Sequence, residues 1–151
     1  MKKILVPIDG SEYSERALMK AKEFAGAFDD SQVILLNIMN MESTVANLRY
    51  ASIEAVLDWP ELMEEAQEKS NKLLEESKKT FSDMPNQVET VMVNEPTGNI
   101  ARAIADYAND NDLDIIIMGS NGMGSLKQRL YLGSVTNKVL HLTTKPILVI
   151  Q

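Results

Sequence analysis

Short apolar runs alternate with longer amphipathic segments along the whole of this 151-residue chain. The runs have the length of β-strands, and the segments between them repeat apolar residues at helical spacing. The predicted strands are Lys3–Ile8, Gln32–Ile38, Gln87–Val93, Leu113–Met118 and Pro146–Ile150. The predicted helices are Ser11 to about Phe28, about Pro60 to Phe81, Thr97–Ala108 and about Ser134–Leu142. This alternation predicts an α/β fold, a doubly wound five-stranded parallel sheet in a single domain over residues 1–151.

The composition of the individual segments refines this prediction. Four of the five strands are continuously apolar, as expected of strands covered by helices on both faces, whereas Gln87–Val93 alternates like an edge strand. Ser11 is the favoured N-cap of the first helix, with Ser14 as the alternative. The long segment Asn40–Trp59 is rich in apolar residues, so we expect a partly helical flap with Trp59 packed as a plug.

Composition also excludes several classes of function. The chain is 44% hydrophobic, enough for one core, and it has no cysteine, which excludes disulfides, thiolate metal ligands and cysteine nucleophiles. Its net charge of −7 and the lack of a basic stripe argue against nucleic acid as a partner. The apolar run after Lys2 and Lys3 is too short for a signal peptide, and no segment is long enough to cross a membrane. We therefore expect a soluble cytoplasmic protein.

Glycine and serine are concentrated after the fourth predicted strand. The apolar run stops at Gly119, glycine recurs at Gly122 and Gly124, and Gly133 is followed by Ser134 at the start of the last helix. A strand that leads through such a loop into a helix commonly holds phosphate, because glycine lets the main chain approach closely and the exposed N–H groups attract anions. The alternative is a flexible surface turn.

A second candidate region is the exit of the first strand. Ligands of open parallel sheets bind beyond the carboxyl ends of the strands, where the strand order reverses. If the first and fourth strands are neighbours there, Asp9 faces the glycine loop and Ile38 forms an apolar wall beside it. An apolar slot, a carboxylate and a set of amides together suit a nucleotide. The alternative for Asp9 is a turn or cap residue before the first helix.

These residues make the chain resemble the universal stress protein family from end to end. The resemblance implies the strand order 3-2-1-4-5 and an adenine-nucleotide alpha-hydrolase-like fold. ATP-binding members of the family carry an Asp after strand one and a pattern G-x2-G-x9-G-(S/T) after strand four. Here Gly119 and Gly122 supply the first pair and Gly133-Ser134 the second. Ten residues, Met123–Leu132, separate the two parts where the family pattern has nine.

The resemblance also implies a ligand and a set of contacts. The implied ligand is ATP, with Mg²⁺ bridging its phosphates. Asp9 would hold the ribose or the adenine edge. The residues implied to line the adenine slot are Pro7, Ile8 and Ile38. Those implied to border the ribose and phosphates are Met118, Gly119, Asn121 and Gly122. Those implied to bind the phosphate tail are Gly133, Ser134 and Val135, a role that the positive end of a helix supports independently.

Other phosphate-binding families match less well. A Walker loop needs Lys-Ser/Thr where this chain has Ser125-Leu126. A Rossmann loop follows the first strand, not the fourth. A response-regulator receiver domain needs a lysine at the carboxyl end of strand five, whereas Lys145 precedes that strand.

The sequence favours a binding protein over an enzyme. Phosphoryl transfer needs a held metal and a residue that orients water. Asp9 is the one obvious carboxylate near the site, and His141, late in the last helix, is better explained as structural. We therefore predict a nucleotide-dependent regulatory module of the stress response. Slow hydrolysis or autophosphorylation at Ser120, Ser125 or Ser134 stays open, as does an interaction module that binds no nucleotide.

The last strand predicts the assembly. Ile147–Ile150 would be an exposed apolar edge in a monomer, which is an aggregation hazard. Pairing with its own copy across a two-fold axis removes that edge. The family resemblance implies the same arrangement, so we predict a homodimer through this strand.

Overall fold

The computed structural model of this chain describes residues 2–40, 58–122 and 131–151. The strands are β1 (Lys3–Pro7), β2 (Gln32–Asn40), β3 (Gln87–Glu95), β4 (Ile115–Gly119) and β5 (Ile147–Ile150). The helices are α1 (Glu12–Gly26), α2 (Trp59–Lys78), α3 (Ile100–Asp110) and α4 (Ser134–Leu142), and a 3₁₀ turn, Lys79–Phe81, follows α2. Every predicted strand and helix is present, and the bounds of the last helix are as predicted.

The five strands form one parallel sheet in the order β3-β2-β1-β4-β5. This confirms the order that the family resemblance implied. β1 lies at the centre and pairs with β2 on one side and β4 on the other, with Ile4 opposite Ile115 and Leu5 opposite Ile116 on the β4 side. The strand order reverses between β1 and β4, so the crevice at their carboxyl ends is where such sheets bind ligands.

The period of two along the strands divides the core between the faces of the sheet. One cluster joins β1, β2 and β4 to α1 and α2, and the other joins them to α3 and α4. In β1, for example, Ile4 and Val6 belong to the first cluster and Leu5 to the second, and all three are fully buried. β3 is an edge strand with alternating exposure, as predicted.

The start of α3 differs from the prediction. Thr97 was expected to begin this helix, but the helix begins at Ile100 after Gly98, which has φ 77°, and the N-cap Asn99. The Asn99 side chain accepts the Arg102 N–H at 3.2 Å. The Thr97 N–H instead donates to the Glu95 carboxylate at 2.8 Å. A left-handed glycine interrupts helical geometry, and helical periodicity alone does not reveal it.

The predicted flap, Asn40–Trp59, connects the end of β2 to the start of α2. Residues 41–57 lie outside the described residues, so a helical flap stays a prediction. Trp59 is the first residue of α2 and is half-buried, with Pro60 following it in the first helical turn, where proline is tolerated.

In the described ranges no helix is both long and apolar enough to cross a membrane.

Candidate functional site

A pocket opens at the carboxyl ends of β1, β2 and β4, on the face covered by α3 and α4. Its volume is about 110 Å³, several times the roughly 30 Å³ that one water occupies in the liquid. The described residues that line it are Pro7, Ile8, Asp9, Ser14, Leu36, Ile38, Ile100, Ile104, Met118, Gly119, Asn121, Gly122, Val135 and Thr136. Nine of the eleven residues predicted for the site are therefore brought together.

Asp9 holds a turn with one carboxylate oxygen and faces the glycine loop with the other. Its Oδ1 accepts the Ser11 N–H at 2.9 Å, which closes a turn through Gly10 at φ 81°. Its Oδ2 faces Gly122, lying 3.0 Å from where a Cβ on that glycine would sit. One carboxylate oxygen thus holds the turn, and the other is directed across the crevice to the glycine loop.

The start of α1 makes hydrogen bonds that hold the main chain next to this carboxylate. Ser11 is the N-cap, as predicted, and its Oγ accepts the Ser14 N–H at 3.1 Å. The Ser14 hydroxyl donates to the Ser11 carbonyl at 3.0 Å and accepts the Asp9 N–H at 3.4 Å. Because Ser11 and Ser14 are both buried, these bonds fix the main chain around Asp9.

Gly119 has a packing role. A Cβ at this position would lie 2.7 Å from the Tyr13 Cβ and within 2.9 Å of the Tyr13 main-chain carbon and oxygen. The end of β4 therefore touches the main chain of α1, and only glycine fits between them. Gly119 also lines the pocket, so its predicted ligand contact stays a prediction beside this packing role.

Ser120 and Asn121 close the loop that follows β4. The Gly133 N–H donates to the Ser120 carbonyl at 2.8 Å, and Asn121 Nδ2 donates to the Tyr131 carbonyl at 3.2 Å. The Ser120 hydroxyl donates to Asn121 Oδ1 at 2.8 Å. Residues 123–130, which are eight of the ten between Gly122 and Gly133, lie outside the described part of the chain. Their two ends are nevertheless joined, so the longer spacing leaves Gly133 next to the end of β4.

The N-terminus of α4 lies beside the pocket. Gly133 is its N-cap, and the N–H groups of the first turn, beginning with Ser134 and Val135, have no acceptor within the helix. The Gly133 N–H is already bonded to Ser120. Val135 lines the pocket, whereas Gly133 and Ser134 are absent from its described lining. The buried Thr136 hydroxyl donates to the Gly119 carbonyl at 2.8 Å and ties the helix to β4.

The sequence did not identify five of the lining residues as part of a site. These are Ser14, Leu36, Ile100, Ile104 and Thr136. Ile104 is also part of the buried core and is 3% exposed. Helices of a parallel α/β fold begin at the edge where the preceding strands end, so residues in the first turns of α3 and α4 were candidates on topology alone.

The pocket is apolar on most of its walls and has a single charge. Of the described lining residues only Asp9 is ionisable. No group of three or more His, Asp or Glu side chains converges as a metal site within residues 2–40, 58–122 and 131–151. His141 lies in the last turn of α4, exposed, and its Nδ1 donates to the Asn137 carbonyl at 2.7 Å.

Comparison with known proteins agrees with this fold. The universal stress protein family matches residues 1–151. The chain belongs to this family. A universal stress protein of Methanocaldococcus jannaschii, MJ0577, is 35% identical, with 99% of this chain and 94% of the relative covered. The universal stress protein YxiE of Bacillus subtilis is 31% identical, with 99% and 98% covered.

Solved structures of universal stress proteins have the same fold. The MJ0577 structure matches with a TM-score of 0.76 at 36% identity, over 99% of this chain and 94% of that one. A universal stress protein from Archaeoglobus fulgidus in complex with dAMP matches with a TM-score of 0.65 at 18% identity, over 100% and 98%. A family member from Arabidopsis thaliana with AMP bound matches with a TM-score of 0.67 at 16% identity, over 99% and 91%.

Proposed function

We propose that this universal stress protein binds an adenine nucleotide, ATP in particular, in the pocket between β1, β2 and β4. We propose further that its single domain acts as a cytoplasmic, nucleotide-dependent regulatory module of the stress response. The observation that carries the binding proposal is the Asp9 carboxylate, which faces Gly122 and is the one ionisable side chain among the described residues of a mostly apolar pocket. The AMP and dAMP complexes of distant relatives support the same ligand class.

The base and ribose would occupy the apolar part of the pocket. Ile8, Ile38 and Met118 offer flat apolar contact to a purine, with Pro7 beside them. Asp9 Oδ2 would accept a hydrogen bond from a ribose hydroxyl or from the base amine. A carboxylate acceptor strengthens such a bond, and the apolar walls reduce competition from water.

The phosphates would lie towards the N-terminus of α4. The N–H groups of Ser134 and Val135 and the positive end of the helix favour an anion there. Gly133 would contribute a surface without a Cβ, since its own N–H is bonded to Ser120. With Asp9 the one acidic lining residue described, a Mg²⁺ ion would take its ligands mainly from the phosphates and water.

Calorimetric titration of ATP, ADP and AMP tests the binding proposal. Asp9→Asn retains an oxygen for the Ser11 N–H but loses the charged acceptor, so we expect ATP to bind about tenfold more weakly or worse. Gly122→Val places a branched side chain against Asp9 and should also weaken binding. Asp106→Asn, an exposed change on α3, is the control and should bind as the wild type does.

Two results would count against this proposal. Wild-type affinity in both Asp9→Asn and Gly122→Val would place the ligand elsewhere. No heat of binding and no thermal shift with any of the three nucleotides would favour a module of the same fold that binds no nucleotide. Incubation of purified protein with ATP, followed by chromatography and mass spectrometry, would detect slow hydrolysis or phosphoserine.

We also propose a homodimer through β5. This strand pairs with β4 along one side, and all four of its residues are half-buried. Leu132 and Leu140 are among the exposed large apolar residues of the described chain. Val149 belongs to neither core cluster, so Val149→Lys should prevent β5 from pairing with a second copy while changing the core little. Light scattering should show a dimer for the wild type and a monomer for the variant, and a wild-type monomer at micromolar concentration would refute the proposal.

A further inference from the structure

Asn37 is a buried amide inside the apolar run of β2. Asn37 is 9% exposed, and its side chain points to the face covered by α2, whereas the neighbouring Leu36 and Ile38 belong to the opposite face, where the pocket lies. Nδ2 donates to the Ile8 carbonyl at 2.8 Å. Oδ1 accepts the hydroxyl of Ser70, which is 5% exposed on α2, at 2.6 Å. The amide orientation is thereby set from both ends.

The bond to Ile8 anchors the chain where β1 leaves the sheet. The Ile8 N–H donates to the Leu36 carbonyl at 2.8 Å, one residue beyond the end of β1. The Ile8 carbonyl accepts from the Asn37 side chain, so both main-chain groups of Ile8 are held by β2. A buried amide costs free energy unless it is hydrogen-bonded, and an apolar residue would fill this core position at least as well. The bond to Ile8 is therefore the property that distinguishes asparagine here.

The hydrogen bond from Asn37 to the Ile8 carbonyl lies one residue before Asp9, whose carboxylate faces the pocket. Asp9 is held on its other side by the turn to Ser11, and its N–H donates to the Ser14 hydroxyl at 3.4 Å. The Ile8–Asp9 peptide is therefore held firmly at the Ile8 carbonyl and more loosely at the Asp9 N–H. Releasing the Ile8 carbonyl leaves this peptide held only by the long bond to Ser14, so it can tilt and move Oδ2, and binding sites depend on placement within about 0.5 Å. We infer that Asn37 and Ser70 are positioning residues, which hold the Ile8–Asp9 main chain for nucleotide binding and act through the Ile8 carbonyl. This inference rests on the proposed nucleotide site.

The test separates positioning from stability with a double variant. Asn37→Leu leaves the Ser70 hydroxyl and the Ile8 carbonyl without their partner, so we expect Tm to fall by roughly 5 °C and ATP affinity by about tenfold. Adding Ser70→Ala removes the unpaired hydroxyl, so part of the Tm should return while affinity stays about tenfold low. Ser77→Ala, at another buried serine of α2, is the control and should bind ATP normally.

NMR provides a readout that does not depend on the ligand. In Asn37→Leu without nucleotide, the amide signals of Asp9 and Gly10 should shift from their wild-type positions. Wild-type affinity in Asn37→Leu, or recovery of affinity together with Tm in the double variant, would show that the pair serves core packing alone. A wild-type protein that binds no nucleotide would overturn the proposed function itself, and this inference with it.

Discussion

Replacing Gly119 by alanine should destabilise the fold through one contact. The Cβ of the new residue would lie 2.7 Å from the Tyr13 Cβ, 2.8 Å from its main-chain carbon and 2.9 Å from its oxygen. Two of these atoms are main chain, so no change of side-chain rotamer relieves the overlap. Gly119 does not have a positive φ, so the main-chain conformation itself suits alanine. The cost should come entirely from forcing β4 and α1 apart.

The size of this effect follows from the distances. Carbon atoms make their best contact at about 3.5–4.0 Å, so α1 would have to move by roughly 1 Å. That helix buries Ala17, Ala21 and Ala25 completely against the sheet and has little room to shift. Overpacking a core costs about 1–3 kcal/mol, and a main-chain contact should lie near the upper end, at about 3 kcal/mol. For a chain of this size that corresponds to a fall in Tm of about 6–12 °C.

Thermal and urea unfolding followed by circular dichroism measure this effect. Gly26→Ala is a matched control, because its Cβ would meet only Met84 Cε at 3.5 Å, at the last residue of α1. We expect the control to unfold at or slightly above the wild-type temperature, since alanine favours the helix by up to about 1 kcal/mol. A Tm for Gly119→Ala within about 2 °C of wild type would refute the close-packing explanation for this glycine.

Two further substitutions test other parts of the structure. Thr136→Val removes the buried hydroxyl that donates to the carbonyl at the end of β4 and should lower the free energy of unfolding by about 1–2 kcal/mol in urea, with Thr136→Ser losing less; a midpoint equal to wild type would discount this bond. The pKa of Asp114 is lowered chiefly by the Lys3 N–H that donates to it at 2.8 Å, so its contribution to stability is present above its usual pKa and is lost as pH falls through the lower folded value. Asp114→Asn should therefore unfold more easily than wild type at pH 6 and converge with it in acid, and parallel pH profiles would contradict this assignment.

The fold was largely predictable because its signals are local. Period-two and period-3.6 patterns identify strands and helices from neighbouring residues alone, and the continuous apolar runs of β1, β2 and β4 indicated strands covered on both faces. The strand order required the family resemblance as well. The start of α3 was misplaced by three residues because the left-handed Gly98 leaves no trace in the hydrophobic pattern.

The candidate site was predictable at the ends of the strands and less so elsewhere. Pro7, Ile8 and Asp9 could be placed opposite Gly122 because parallel strands bring their carboxyl ends to one edge. Ile100 and Ile104 were not predicted for the site, since an apolar residue in the first turns of a helix looks the same whether it lines a pocket or fills the interior.

By itself the sequence determined the kinds of element, their order along the chain and the polar residues at the strand ends. Only the tertiary structure decided what those residues do. It showed that Gly119 meets the main chain of α1, that the Gly133 N–H is bonded to Ser120, and that the Asn37 amide holds Ile8. The physical reason is that such roles depend on distances of a few tenths of an ångström between segments far apart in the chain, which no local pattern encodes.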